Sequence, residues 1–108
     1  MSKSYHVIWS DIAETDLKNI ILYIAKDSPA NARSVFEKIK EAASNLNQFP
    51  ERGRLIPELQ MQGVLLYREL VIAPWRLIYR TSGNEVLVLA VLDSRRNIED
   101  ILLDRLVN

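Results

Sequence analysis

A chain of 108 residues, 48% of them hydrophobic and 26% charged, has room for one compact domain spanning 1–108, with one core and no second domain. Lys plus Arg and Asp plus Glu balance at 14 each, so no chain-wide positive field advertises nucleic-acid binding and any basic site is local. With no cysteine and a single histidine, His6, there is no disulfide framework, thiol nucleophile or histidine cluster, and neither metal nor cofactor is expected.

Met1-Ser2-Lys3-Ser4-Tyr5-His6 leads into a short apolar run without the apolar region of a secretory leader, and no apolar stretch approaches the roughly 20 residues that span a bilayer. A cytoplasmic protein without membrane contact is expected. Tyr5 to Trp9 is short, β-rich and followed by Ser10-Asp11, which reads as a strand delivering the chain to a helix N-cap. From Asp11 to about Lys26, Ala13, Leu17, Ile20, Ile21 and Ile24 recur at three- and four-residue steps, the stripe of an amphipathic helix. Asp27-Ser28-Pro29 breaks it. Ser28 as N-cap and Pro29 at the first helical position open a second helix, with Ala32, Val35, Phe36, Ile39, Ala43 and Leu46 on one side. So short a turn between them predicts an antiparallel hairpin.

Phe49 to Pro57 holds two prolines and a glycine without a regular period and reads as a loop crossing to the next layer. Tyr67 to Ala73 and Trp75 to Thr81 are strand-like, separated by Pro74, and Ser82-Gly83-Asn84 supplies a tight turn before Glu85 to Leu92. The last of these strands is apolar from Val86 to Leu92, which suits a strand covered on both faces at the centre of the sheet. After Asp93-Ser94-Arg95-Arg96, Asn97 can cap a final helix striped by Ile98, Ile101, Leu102 and Leu106. The order β-α-α-β-β-β-α predicts an α+β fold, a twisted antiparallel sheet with the N-terminal helical hairpin packed on one face.

No phosphate-cradling glycine loop is present, and no strand–turn–helix elbow carries a serine for His6 to activate. What stands out is arginine on and after the β-meander: Arg68, Arg76 and Arg80 on strands, then Arg95-Arg96. Alternation puts Arg76, Ile78 and Arg80 on one face of their strand and Trp75, Leu77 and Tyr79 on the other. The aromatic, apolar set is the better candidate to meet the helical hairpin, which leaves Arg76 and Arg80 on the less covered face, free to bind a phosphate or carboxylate. Arg95-Arg96, at a strand-to-helix junction, makes a local anion-binding position. The plain alternative is that the strand arginines are solvated edge residues or pair internally with Glu69, Glu85 or Asp93, and that Arg95-Arg96 pair with Glu99 or Asp100. Tyr79 reads as a core aromatic with its hydroxyl at the surface or as a proton donor, Trp9 and Trp75 as core anchors. Glu14, Asp16, Glu37 and Glu41 read as solvated.

Val7-Ile8-Trp9-Ser10, the helix start Ala13-Glu14-Thr15-Asp16-Leu17, Tyr23-Ile24-Ala25, Phe49-Pro50-Glu51-Arg52-Gly53-Arg54 and Pro57-Glu58-Leu59 form an ordered series. It continues with Arg68-Glu69-Leu70-Val71, Trp75-Arg76-Leu77-Ile78-Tyr79-Arg80 and Val91-Leu92-Asp93-Ser94-Arg95-Arg96. In that order and over nearly the full length, they resemble the RelE/ParE toxin family, the ParE branch more closely. The resemblance implies a toxin neutralised by a cognate antitoxin encoded beside it, the hetero-oligomeric complex often repressing its own operon, so that operator DNA is met only through the antitoxin. A groove between the helical hairpin and the sheet is the surface an acidic, apolar antitoxin tail would wrap.

ParE-like members poison DNA gyrase and block replication; RelE-like members enter the ribosomal A site and cleave messenger RNA. Fold does not choose between them. The ribonuclease members are strongly basic, whereas this chain is neutral, and where many of them place a histidine or tyrosine after the last strand it has Asp93-Ser94. Gyrase poisoning is therefore the expected activity, with Arg76, Arg80, Arg95 and Arg96 as target contacts and no catalytic residue. On the ribonuclease alternative the catalytic set is Arg68, Arg76, Tyr79 and Arg95. A reading of another class is an interaction module without toxicity.

Overall fold

In the computed structural model, which describes residues 4–107, the Ser10 hydroxyl accepts a hydrogen bond from the Ala13 amide at 3.1 Å. That cap starts α1 (Asp11–Ala25) directly behind β1 (His6–Trp9). Residues 1–3, part of the leader-free N-terminal reading, lie outside the described residues, as does residue 108. Ser28 repeats the device, accepting from the Asn31 amide at 3.1 Å, and Pro29 begins α2 (Pro29–Ser44), which ends in a single 3-10 turn, Asn45–Asn47.

The segment expected to be an irregular loop, Phe49 to Pro57, contains the short β2 (Arg54–Leu55), and a short helix, α3 (Pro57–Gln60), begins at its last residue. Two and four residues are too few to display a period, so neither announces itself in the pattern. β3 (Arg68–Ile72), β4 (Trp75–Ser82) and β5 (Glu85–Asp93) form the meander, and the β4–β5 turn places Gly83 at φ +59°, a left-handed value that favours glycine. Asn97 caps α4 (Ile98–Val107) through its Oδ1, which accepts from the Asp100 amide at 3.2 Å.

The five strands lie in the order β1-β5-β4-β3-β2. All neighbours are antiparallel except β1 and β5, which run parallel. β4 is thus the middle strand, and the apolar β5 sits one place to its side between β1 and β4. Opposite β4 the register slips: Ile78 pairs with Ala90 and Tyr79 with Val88, leaving Leu89 as the extra residue of a β-bulge. The slip turns the second half of β5 over. Val86 and Val88 face the hairpin before it; Val91 faces the hairpin after it, while Ala90 and Leu92 face the other side.

Each face of the sheet carries its own apolar cluster. On one, Ala13, Leu17, Ile39 and Ala43 of the hairpin pack on Leu77, Tyr79, Val86, Val88 and Val91. On the other, Ile56, Leu59, Ile98 and Leu102 cover Ile78, Ala90 and Leu92. Burial of each such aliphatic side chain contributes about 1.5–3 kcal/mol, and the second cluster exists only because α3 and α4 fold over that face. Their cover is incomplete. Ile8 on β1, paired with Leu87, remains 41% exposed, and Arg80 opposite Leu87 is half-buried.

Candidate functional site

β4 keeps the alternation read from its sequence, with Trp75, Leu77 and Tyr79 toward the hairpin and Arg76, Ile78 and Arg80 on the opposite face. The expectation that this places Arg76 on a less covered face is corrected, because α3 closes over it. Arg76 Nη1 and Nη2 donate to the two carboxylate oxygens of Glu58 on α3 at 2.6 and 2.7 Å, and Nε donates to Glu69 at 2.5 Å. The Glu69 carboxylate is fully buried and is met on its other oxygen by Arg54 Nε at 2.7 Å. Every charge here has a fixed opposite partner, which is what makes so buried a group tolerable. The Arg76 hydrogen bonds hold Glu58 below the usual carboxylate range, and the same contacts raise Arg76 further above its already high value.

Tyr79 is fully buried. Its hydroxyl donates to the Pro50 carbonyl and accepts from the Gly53 amide, both at 2.8 Å, so the phenol lies inside the protein and not at its surface. Burial pushes its pKa up. Arg68 Nη1 donates to the Gly53 carbonyl at 2.8 Å and completes the clamp on this loop. A Cβ at position 53 would stand 2.5 Å from the Glu69 carbonyl oxygen and 2.6 Å from the Tyr79 hydroxyl, which explains why the loop passes here as glycine.

At the far end of β5 the arrangement is open. Arg95 Nε and Nη2 donate to the two oxygens of Asp93 at 2.9 and 2.5 Å, with the arginine side chain 79% exposed. Chiefly through those bonds, Arg95 holds the Asp93 carboxyl down at about 2. Arg96 is exposed; its amide donates to the Asp93 carbonyl at 3.1 Å, and its charge adds to that of Arg95 in holding the Asp93 carboxyl down.

The residues named from sequence therefore do not converge. Arg68 and Tyr79 meet on the hairpin face, Arg76 is sealed under α3 on the other, and Arg95 and Arg96 stand beyond the end of β5. Internal pairing of Arg76 with Glu69 follows the plain alternative; Arg95 pairs instead with Asp93, and no ion pair joins either arginine to Glu85, Glu99 or Asp100 among the described residues. Asp16 is corrected from solvated to structural. It accepts from the Val91 amide at 3.1 Å and from both Nη atoms of Arg105 at 2.7 and 3.0 Å, bridging α1, β5 and α4. The sequence carries no local sign of it, since Asp16 and Arg105 lie 89 positions apart. Among the described residues no cluster of three or more His, Asp or Glu could hold a metal, and no helix is long and apolar enough to cross a membrane.

Residues 7–98 match the sequence profile of a family described as the ParE toxin of the type II toxin–antitoxin system, parDE. The chain is 38% identical over 68 residues to Toxin RelE2 of Caulobacter vibrioides, covering 63% of this chain and 69% of that protein. To Toxin ParE3 of the same organism it is 27% identical over 84 residues, 77% of this chain and 80% of the other. In fold it resembles a chain from the chromosomal ParDE toxin–antitoxin system of P. aeruginosa, with TM-score 0.67, 24% identity and coverage of 83% and 96%. It also resembles a chain of the toxin–antitoxin complex RelBE2 of Mycobacterium tuberculosis, with TM-score 0.55, 21% identity and coverage of 84% and 92%.

Proposed function

The chain belongs to the ParE toxin family of type II toxin–antitoxin systems, within the RelE/ParE superfamily, and from that premise we propose that it poisons DNA gyrase by surface contact. The observation that carries this reading is the commitment of Tyr79 and Arg76 inside the protein. A ribonuclease needs a proton donor and acceptor at the scissile phosphate and free cations around it. Here the Tyr79 hydroxyl is held between Pro50 and Gly53, and three guanidinium nitrogens of Arg76 are held by Glu58 and Glu69. Arg80, Arg95 and Arg96, which retain exposure, are the target contacts, and Arg76 serves them by holding α3 to the sheet.

A ribosome-dependent messenger endonuclease is the second reading, favoured by the relative that bears the RelE name. On that reading Arg68, Arg76, Tyr79 and Arg95 would need rearrangement on the ribosome. The deciding experiment strips the antitoxin, refolds the toxin and adds it in parallel to a gyrase supercoiling and cleavage assay and to ribosomes programmed with messenger RNA. Trapped cleaved DNA with intact messenger supports gyrase poisoning; cut messenger with unaffected gyrase replaces it by the second reading. The single domain at 1–108, the cytoplasmic location and access to operator DNA only through the antitoxin belong to this proposal.

A further inference from the structure

The Arg52 amide donates to the Phe49 carbonyl at 3.1 Å, which closes a turn with Pro50 and Glu51 at its tip. The turn is fastened from beneath: the buried Tyr79 hydroxyl donates to the Pro50 carbonyl and accepts from the Gly53 amide, and Arg68 holds the Gly53 carbonyl. A turn held this firmly presents its side chains in one arrangement, with little ordering left to be done on contact. Those side chains are Phe49, 61% exposed, and the exposed Glu51 and Arg52. Neither charged side chain has an ion pair or a hydrogen bond among the described residues. Beside the turn lies a cleft of about 740 Å³, walled by Phe49, Arg52 and, from just ahead of β1, Tyr5, with room for an aromatic side chain from outside.

An exposed ring next to adjacent, opposite and unpaired charges is complementary to a second copy of itself. About a two-fold axis, Arg52 of each copy meets Glu51 of the other, so the ion pair forms twice, and each Phe49 ring enters the other copy's cleft. A nucleic-acid backbone fits less well, because Glu51 repels the phosphate that Arg52 attracts. We infer that the turn at 49–52 is a self-association site, where two copies of this chain pair through reciprocal contacts of Arg52 with Glu51 around the Phe49 rings. Six lining residues a side fall well short of the roughly 20–30 of a standard interface, so the dimer is weak and depends on concentration. Tyr79 stands four residues along β4 from Trp75, which pairs with Asp93. The turn that Tyr79 holds therefore lies toward the opposite end of the sheet from Arg95 and Arg96, and the dimer leaves both uncovered.

The test is analytical sedimentation of the full chain, freed of antitoxin and refolded, over a rising concentration series. The parent should pass from the mass of one chain to that of two. Glu51→Arg and Arg52→Glu each set like charges opposite one another, and each should weaken the dimer at least about tenfold at an unchanged melting temperature. Mixed in equal amounts, the two variants should recover a dimer, because every arginine of one then faces a glutamate of the other. A parent that stays at one chain mass throughout, a dimer indifferent to both reversals, or a mixture that stays monomeric overturns the assignment. A monomeric parent that sediments with an added DNA oligonucleotide, and loses it in Arg52→Glu, replaces self-association by nucleic-acid binding.

Discussion

Arg76 and Arg96 flank the same end of one sheet, Arg76 paired in register with Leu92 and Arg96 three residues past the end of β5, yet they do opposite things. Arg76 spends Nε, Nη1 and Nη2 on two glutamates and is buried; Arg96 spends no side-chain donor and is exposed. Residue type does not separate them. The difference is made by α3, four residues that carry Glu58 across the sheet face and turn an arginine at its surface into an internal fastener. A guanidinium becomes available for recognition only where no covering element brings a carboxylate to it.

Arg76→Ala is the harshest way to press this comparison. It leaves the buried Glu69 with the exposed Arg54 alone, and breaking a buried pair by removing one partner costs about 3–5 kcal/mol, read as a lower urea midpoint. A loss no larger than that of Arg96→Ala would erase the distinction between the two arginines. Smaller but clear should be Tyr79→Phe, which strands the Pro50 carbonyl and the Gly53 amide and costs about 1–3 kcal/mol in the same measurement.

Acid should separate the two regions further. Glu58 is held below its ordinary 4.5, so the stability from its pairing is present above that pH and is lost as pH falls through the lowered folded value. Urea titrations across that range should show a steeper loss for the parent than for Glu58→Gln. Asp93, held near 2, keeps its charge through most of the same range. Its pairing with the exposed Arg95 leaves too little to register, so Arg95→Ala should follow the parent curve.

Much of the frame was legible because it is periodic. The stripes of α1, α2 and α4 and the parity of β4 follow from spacing of three or four, or of two, and the two serine caps and the Gly83 turn from residue type. The site was less so. β2 and α3 are too short to display a period, the bulge at Leu89 leaves no mark in a run apolar from Val86 to Leu92, and the pairs that decide Arg76, Tyr79 and Asp16 join residues 18, 26 and 89 positions apart. Glu69 and Asp93 were nameable as partners of nearby strand arginines. Glu58 was not, because nothing local says that a four-residue helix will fold over β4.

The most direct test of the division between internal and recognition arginines is growth arrest on induced expression of Arg95→Ala/Arg96→Ala beside the parent, with soluble yield and melting temperature measured in both. Arrest relieved at equal yield and unchanged melting temperature is the predicted result. Undiminished arrest by the folded double variant would contradict the account and remove both residues from the target-binding surface.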